Sequence, residues 1–123
     1  MRVYISEFSK LSGLSIHTLR YYEKEGLLGR ISRNASGKRL YSKTDLEWMT
    51  WIQRLKSTGM SLSDIKAFSK LRLRGEDSLG ERKNMLAQHA ETLKIEIAHL
   101  QGELNIVESK VKAYEERENN RLT

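Results

Sequence analysis

His17, Thr18, Arg20 and Tyr21 are spaced to share one face of a helix, opposite Ile16 and Leu19. Together they offer hydrogen-bond donors and an aromatic edge to a major groove. Arginine pairs in the same bidentate geometry with the guanine edge and with phosphate, so the spacing is compatible with base or backbone contact. Tyr21 is expected at the backbone. Further along, Arg33, Lys38, Arg39 and Tyr41 flank the turn formers Asn34-Ala35-Ser36-Gly37. A hairpin of that kind has a compact cationic tip able to follow phosphates beside a groove. No Ser/His/Asp, paired-carboxylate or glycine-loop constellation occurs at usable spacing, so no catalytic residue is assigned and the chain is not read as an enzyme. His89 and His99 stand ten positions apart, which is not the i, i+4 spacing of a metal pair, and there is no cysteine. No metal and no cofactor are expected.

The elements that must carry these groups follow from apolar spacing and its punctuation. Arg2-Val3-Tyr4 reads as a short strand, and Ser6 as the cap of a helix with Phe8 and Leu11 on one face, ended by Gly13. Ser15 caps a second helix in which Ile16, Leu19 and Glu23 mark the turns until Gly26 stops it. Two short helices around a glycine-containing turn make a helix-turn-helix. The hairpin follows directly as a wing, which gives its basic residues their meaning. Ser42 and Asp45 then form a capping signal for a helix through Leu46, Trp48, Ile52 and Leu55 that closes near Gly59. Ser61 and Asp64 repeat the signal for a helix with Ile65, Phe68 and Leu71 facing inward. Residues 74–78 read as a polar break, and Ser78 with Glu81 as a capping box for the last helix.

Charge is divided along the chain. Residues 1–74 hold 15 Lys/Arg against 6 Asp/Glu, a net +9, whereas residues 75–123 hold 7 against 10, a net −3, so the basic character belongs to the first part. A cationic domain joined to a mildly acidic helix suits a polyanion at one end and a different partner at the other. No apolar run approaches the roughly 20 residues of a membrane span, and no signal peptide is read, so a cytoplasmic protein is expected.

From Leu86 the apolar positions run Leu86, Ala90, Leu93, Ile97, Leu100, Leu104, Val107, Val111 and Tyr114, alternately four and three apart. Such a repeat specifies a left-handed coiled coil, with Ala90, Ile97, Leu104 and Val111 at a and the others at d. A stripe of this length is most simply covered by a second copy, as a symmetric homodimer. In an antiparallel register small Ala90 opposes the bulky Tyr114 of the partner, Glu96 faces the partner's Lys110, and Lys94 faces the partner's Glu108. A parallel coil would set Glu103 against Glu108 instead. Size match and charge both favour the antiparallel coil, centred near Gly102.

The phrase Leu19-Arg20-Tyr21-Tyr22-Glu23, followed by Glu25-Gly26-Leu27-Leu28 and by the wing phrase Gly37-Lys38-Arg39-Leu40-Tyr41, resembles the MerR family of bacterial transcriptional regulators. The resemblance continues through the two helices after the wing to the long terminal helix. It implies a mainly α fold: a winged helix-turn-helix domain over residues 1–74 with a small β wing, a long helix over 78–117 forming an antiparallel dimeric coiled coil, and a flexible tail over 118–123. It also implies a homodimer on a palindromic operator in double-stranded DNA, bending and untwisting the promoter so that RNA polymerase can engage it. By motif, Arg20, Tyr21, Arg39 and Tyr41 carry over as DNA contacts, with Lys56 as a phosphate candidate from the following helix.

Relatives in that family usually carry a sensor after the dimerisation helix, yet only Glu115 to Thr123 follow the heptads, and the cysteines of metal- and thiol-sensing relatives are missing. No separate effector domain is expected. An architectural or excisionase-like DNA-bending protein, and a coiled-coil adaptor whose basic domain binds protein, are the alternatives.

Overall fold

A computed structural model describes residues 1–122. The elements are β1 (Arg2–Val3), α1 (Ile5–Ser12), α2 (Ile16–Lys24), β2 (Ser32–Arg33), β3 (Arg39–Ser42), α3 (Lys43–Ser57), α4 (Leu62–Arg74), a 3-10 turn at Gly75–Ser78, and α5 (Leu79–Leu122). The fold is mainly helical, with a small three-stranded sheet and a long C-terminal helix. The chain divides into two compact units, Met1–Met85 and Leu86–Thr123.

Local chemistry explains most of the boundaries in the first unit. α1 ends where Gly13 takes φ 76°, and its N–H bonds the Ser9 carbonyl. Ser15 caps α2 by accepting from the Thr18 N–H at 3.0 Å. α3 begins with a complete capping box: the Asp45 N–H donates to Ser42 Oγ, and the Ser42 N–H donates to Asp45 Oδ2. Ser61 caps α4 through the Asp64 N–H.

Three starts and stops differ from the sequence expectation. α1 begins at Ile5 with Tyr4, not Ser6, in the cap position and no side-chain cap; the strand leads straight into the helix, so Ser6 already lies in the first turn. Before α5, Ser78 is not an N-cap. Its hydroxyl donates to the carbonyls of Leu71 and Gly75 and accepts from Arg82 Nε, so residues 75–78 join α4 to α5 as a tight turn in place of a polar break. Finally, α5 continues to Leu122, which makes residues 118–122, expected as a tail, helical; the segment contains no Gly or Pro to stop it. Thr123 lies outside the described residues.

The sheet has the order β1-β3-β2, with Val3 opposite Tyr41 and Arg33 opposite Arg39 in antiparallel register. The core of the unit gathers Phe8, Leu19, Tyr22, Leu27, Tyr41, Met49, Ile52, Leu55, Ile65 and Phe68. Leu11, expected beside Phe8, is half exposed at the rim. Gln53 of α3 reaches α1 by donating to the Ser12 carbonyl at 3.0 Å. The helix-turn-helix and the wing are thereby packed on one small core.

Candidate nucleic-acid interface

The helix-turn-helix and the wing meet at a cleft of about 200 Å³ lined by Tyr4, Ile5, Arg20, Gly37, Lys38 and Arg39. Three cations from two elements thus converge on one surface. Arg20 is placed there by α2, whose opposite side buries Leu19 and Tyr22. Lys38 and Arg39 are placed there by the turn that reverses the wing. Asn34 organises that turn: its Oδ1 accepts from the N–H groups of Ser36 and Lys38, at 3.1 and 2.8 Å, and Gly37 takes φ 85°. Arg33 braces it further by donating to the Gly37 carbonyl at 2.8 Å.

Arg39 is also tied to the helix. Its Nε lies 2.8 Å from Glu23 Oε1 and 2.6 Å from Oε2, and the hydrogen bond it donates to Glu23 holds its pKa above the usual guanidinium value. Tyr4 closes the cleft on the other side. Lys38 Nζ sits 4.7 Å from the Tyr4 ring centroid, and Asn34 Nδ2 donates to the Tyr4 hydroxyl at 3.1 Å.

The other expected contacts fall in different places. His17 and Tyr21 are exposed on α2. Thr18 is half-buried and engaged in the cap, accepting from the Ser15 hydroxyl as well as donating its N–H to it. Lys56 is exposed on α3 but does not line the cleft. Its Nζ donates to the Tyr22 hydroxyl at 2.9 Å, the bond that chiefly raises its pKa.

Tyr41 is a correction. Expected as a wing contact, it is 1% exposed and stacks on Phe8 with ring centroids 4.3 Å apart. Alternation alone would set Arg39 and Tyr41, two residues apart on β3, on one face; what buries the ring is its neighbours, since Tyr41 pairs with Val3 of β1 and stacks on Phe8 of α1 while Arg39 lies further along the strand, opposite Arg33 and bonded to Glu23. Burial pushes its pKa up. Two residues that the sequence reading did not assign to the site, Tyr4 and Glu23, belong to it. For Glu23 there was a signal, an acidic residue one turn after Arg20; Tyr4 gave none, because its role depends on strand β1 lying beside the wing.

Among the described residues no group of three or more His, Cys, Asp or Glu could hold a metal ion, and no helix is long and apolar enough to cross a membrane.

Comparison with known proteins matches residues 3–70 to the MerR HTH family regulatory protein model and residues 46–102 to the MerR DNA-binding model. The chain belongs to the MerR family. Within it, an HTH-type transcriptional regulator of Haemophilus influenzae is 40% identical over 103 residues, covering 84% of this chain and 76% of the relative. The regulator YyaN of Bacillus subtilis is 36% identical over 122 residues, covering 89% of this chain and 88% of its own. Among solved structures, HiNmlR, a MerR family regulator lacking the sensor domain and bound to promoter DNA, superposes with a TM-score of 0.83 at 36% identity, covering 94% of this chain and 92% of that one. A MerR family regulator from Listeria monocytogenes superposes at 0.86 with 33% identity, covering 92% and 86%.

Proposed function

We propose that this MerR family member is a cytoplasmic transcriptional regulator, not an enzyme, that binds a palindromic promoter operator as a homodimer and controls transcription by bending and untwisting the DNA for RNA polymerase. The observation that carries the reading is the convergence of Arg20, Lys38 and Arg39 on one cleft between recognition helix and wing. A helix in the major groove and a cationic tip on the adjacent phosphates need that arrangement. The DNA-bound state of HiNmlR supports it. Residues 1–74 are the DNA-binding domain in this reading, with Arg20, His17 and Tyr21 presented by α2, Arg33, Lys38 and Arg39 by the wing, and Lys56 by α3; Thr18 stays at the helix start.

Homodimerisation is proposed for residues 78–117. In the single chain Ile97, Leu100, Val107, Val111 and Tyr114 are each more than half exposed, and Leu104 is 49% exposed. Burying a large aliphatic side chain contributes about 1.5–3 kcal/mol, so the nine seam positions Leu86 to Tyr114 supply on the order of 10 kcal/mol gross per chain. The proposed coil is antiparallel, with Ala90 against the partner's Tyr114, which sets the two recognition helices apart by a fixed length.

Genome-wide footprinting tests the function. Protection of palindromic sites inside promoters is the expected result. Sequence-indifferent occupancy would favour the architectural reading, and no occupancy would contradict DNA binding altogether.

A further inference from the structure

A second cleft of the N-terminal unit, about 620 Å³, is lined by Leu28, Arg30, Asp45, Arg72 and Leu73. It shares no residue with the Arg20 cleft. Arg72 is its most unusual member. Its guanidinium lies 4.1 Å from the centroid of the Trp48 ring, and Trp48 is itself fixed, donating its indole N–H to the Leu27 carbonyl at 2.7 Å and stacking on Phe68 at 5.8 Å. Close approach of the α2–β2 loop completes the wall. Gly29 takes φ 72°, and a Cβ there would stand 3.1 Å from Leu73 Cδ2 and 3.6 Å from Arg72 Nη1.

Arg72 is thus held in place yet left unanswered. Among the described residues its guanidinium makes no hydrogen bond or ion pair, and neither does that of Arg30. Asp45 acts on it through its charge and forms no ion pair with it, while Asp45 Oδ2 accepts from the Ser42 N–H in the capping box. Arg82, the other charge near it, is spent on Ser78 and the Gly75 carbonyl. Partial burial lowers the pKa of Arg72, but a guanidinium remains charged at neutral pH. A half-buried cation with free fork-shaped donors is a strong receptor for one carboxylate. Beside it Leu73, 59% exposed, offers an apolar wall.

We propose that this cleft binds a small organic monoanion, a carboxylate carried on a short apolar body, with Arg72 and Arg30 taking the carboxylate and Leu73 packing on the body. Asp45 on the rim sets the charge: the lining carries two cations and one anion, which suits a singly charged ligand and disfavours a phosphate dianion or a polyphosphate backbone. The proposal does not rest on DNA binding, since no residue is shared between the two clefts.

The test uses the full chain carrying Trp51→Phe, so that tryptophan fluorescence reports Trp48 alone, titrated with hexanoate, acetate and inorganic phosphate and checked by calorimetry. Saturable hexanoate binding is expected, roughly five-fold or more tighter than acetate because of the added apolar contact, with phosphate weaker than hexanoate. Arg72→Gln should weaken hexanoate binding by roughly ten-fold or more. Leu73→Glu, at an exposed position that leaves the fold intact, should abolish binding by supplying Arg72 with a carboxylate of its own. Lys10→Gln, a charge change on α1, should leave binding unchanged. Absence of saturable hexanoate binding, equal binding by Leu73→Glu, or phosphate binding as tight as hexanoate would each overturn the proposal.

Discussion

Glu23 of the recognition helix and Arg39 of the wing are joined through both carboxylate oxygens, at 2.8 and 2.6 Å from a single Nε. The pair ties together the two elements proposed to read DNA. Its side chains are 36% and 21% exposed, so solvent screens it, and its worth to stability is modest. A double-mutant cycle of Glu23→Ala and Arg39→Ala, measured by urea unfolding, should give a coupling of about 0.5–1 kcal/mol. A coupling of zero would mean that the wing is positioned by the sheet alone.

Arg20 is exposed on α2 and packs on nothing in the core. Arg20→Ala should therefore leave the melting temperature unchanged while weakening operator binding by roughly 1–3 kcal/mol. Fluorescence anisotropy on a labelled operator measures this, and unchanged affinity would remove Arg20 from the interface.

Tyr41 makes the opposite prediction. Its ring fills the core beneath α1, so Tyr41→Ala should destabilise the N-terminal unit by about 3–5 kcal/mol, as loss of a large core aromatic does. Tyr41→Phe keeps the stack on Phe8 and should preserve both fold and operator affinity. A large loss of DNA binding in a stably folded Tyr41→Phe would restore the hydroxyl to the interface.

The same residue gives a pH dependence. Burial raises the Tyr41 pKa above its ordinary value of 10.0, so the neutral phenol is the form that the folded state favours. The associated stability is fully present below the unfolded-state pKa and is lost as pH rises from there through the higher folded value. Unfolding free energy measured across pH 9 to 12 should fall more steeply for the wild type than for Tyr41→Phe; parallel curves would contradict the assignment.

Much of this was legible in the sequence because local rules agreed with the global fold. Ser15, Ser42 with Asp45, and Ser61 sit where capping chemistry puts them, and Gly13 and Gly37 take the positive φ their turns require. Arg20, Lys38 and Arg39 were identified by type and spacing. What was not legible depended on pairing between distant segments. The wing motif makes Tyr41 a DNA contact together with Arg39; only the pairing of β3 with β1, across almost forty residues, and the stack on Phe8 of α1 bury the phenol. Ser78 looked like a cap because its spacing to Glu81 fits, yet Arg82 and two carbonyls of the preceding turn engage its hydroxyl. For the cleft at Arg72 the sequence points only to its neighbourhood, the helices bearing Trp48, Trp51 and Phe68, as the place where a ligand response would arise; its lining draws on residues from 28 to 73 that only the fold brings together.

The proposed coil can be tested without DNA. Cysteines at positions 90 and 114, in the otherwise cysteine-free chain, should crosslink between protomers in the antiparallel register. Efficient crosslinking through a cysteine at 102 without any between 90 and 114 would indicate a parallel coil.

The central claim is that two copies of one recognition surface read the two halves of one operator. Its most direct test is the salt-dependent affinity of the full chain for a mapped palindrome, for the same site with one half scrambled, and for a fully scrambled duplex. Binding is expected to be tightest to the intact palindrome, roughly 10³-fold or more above the scrambled duplex, with affinity falling steeply as salt rises. Equal affinity for all three duplexes, or no binding at low salt, would contradict it.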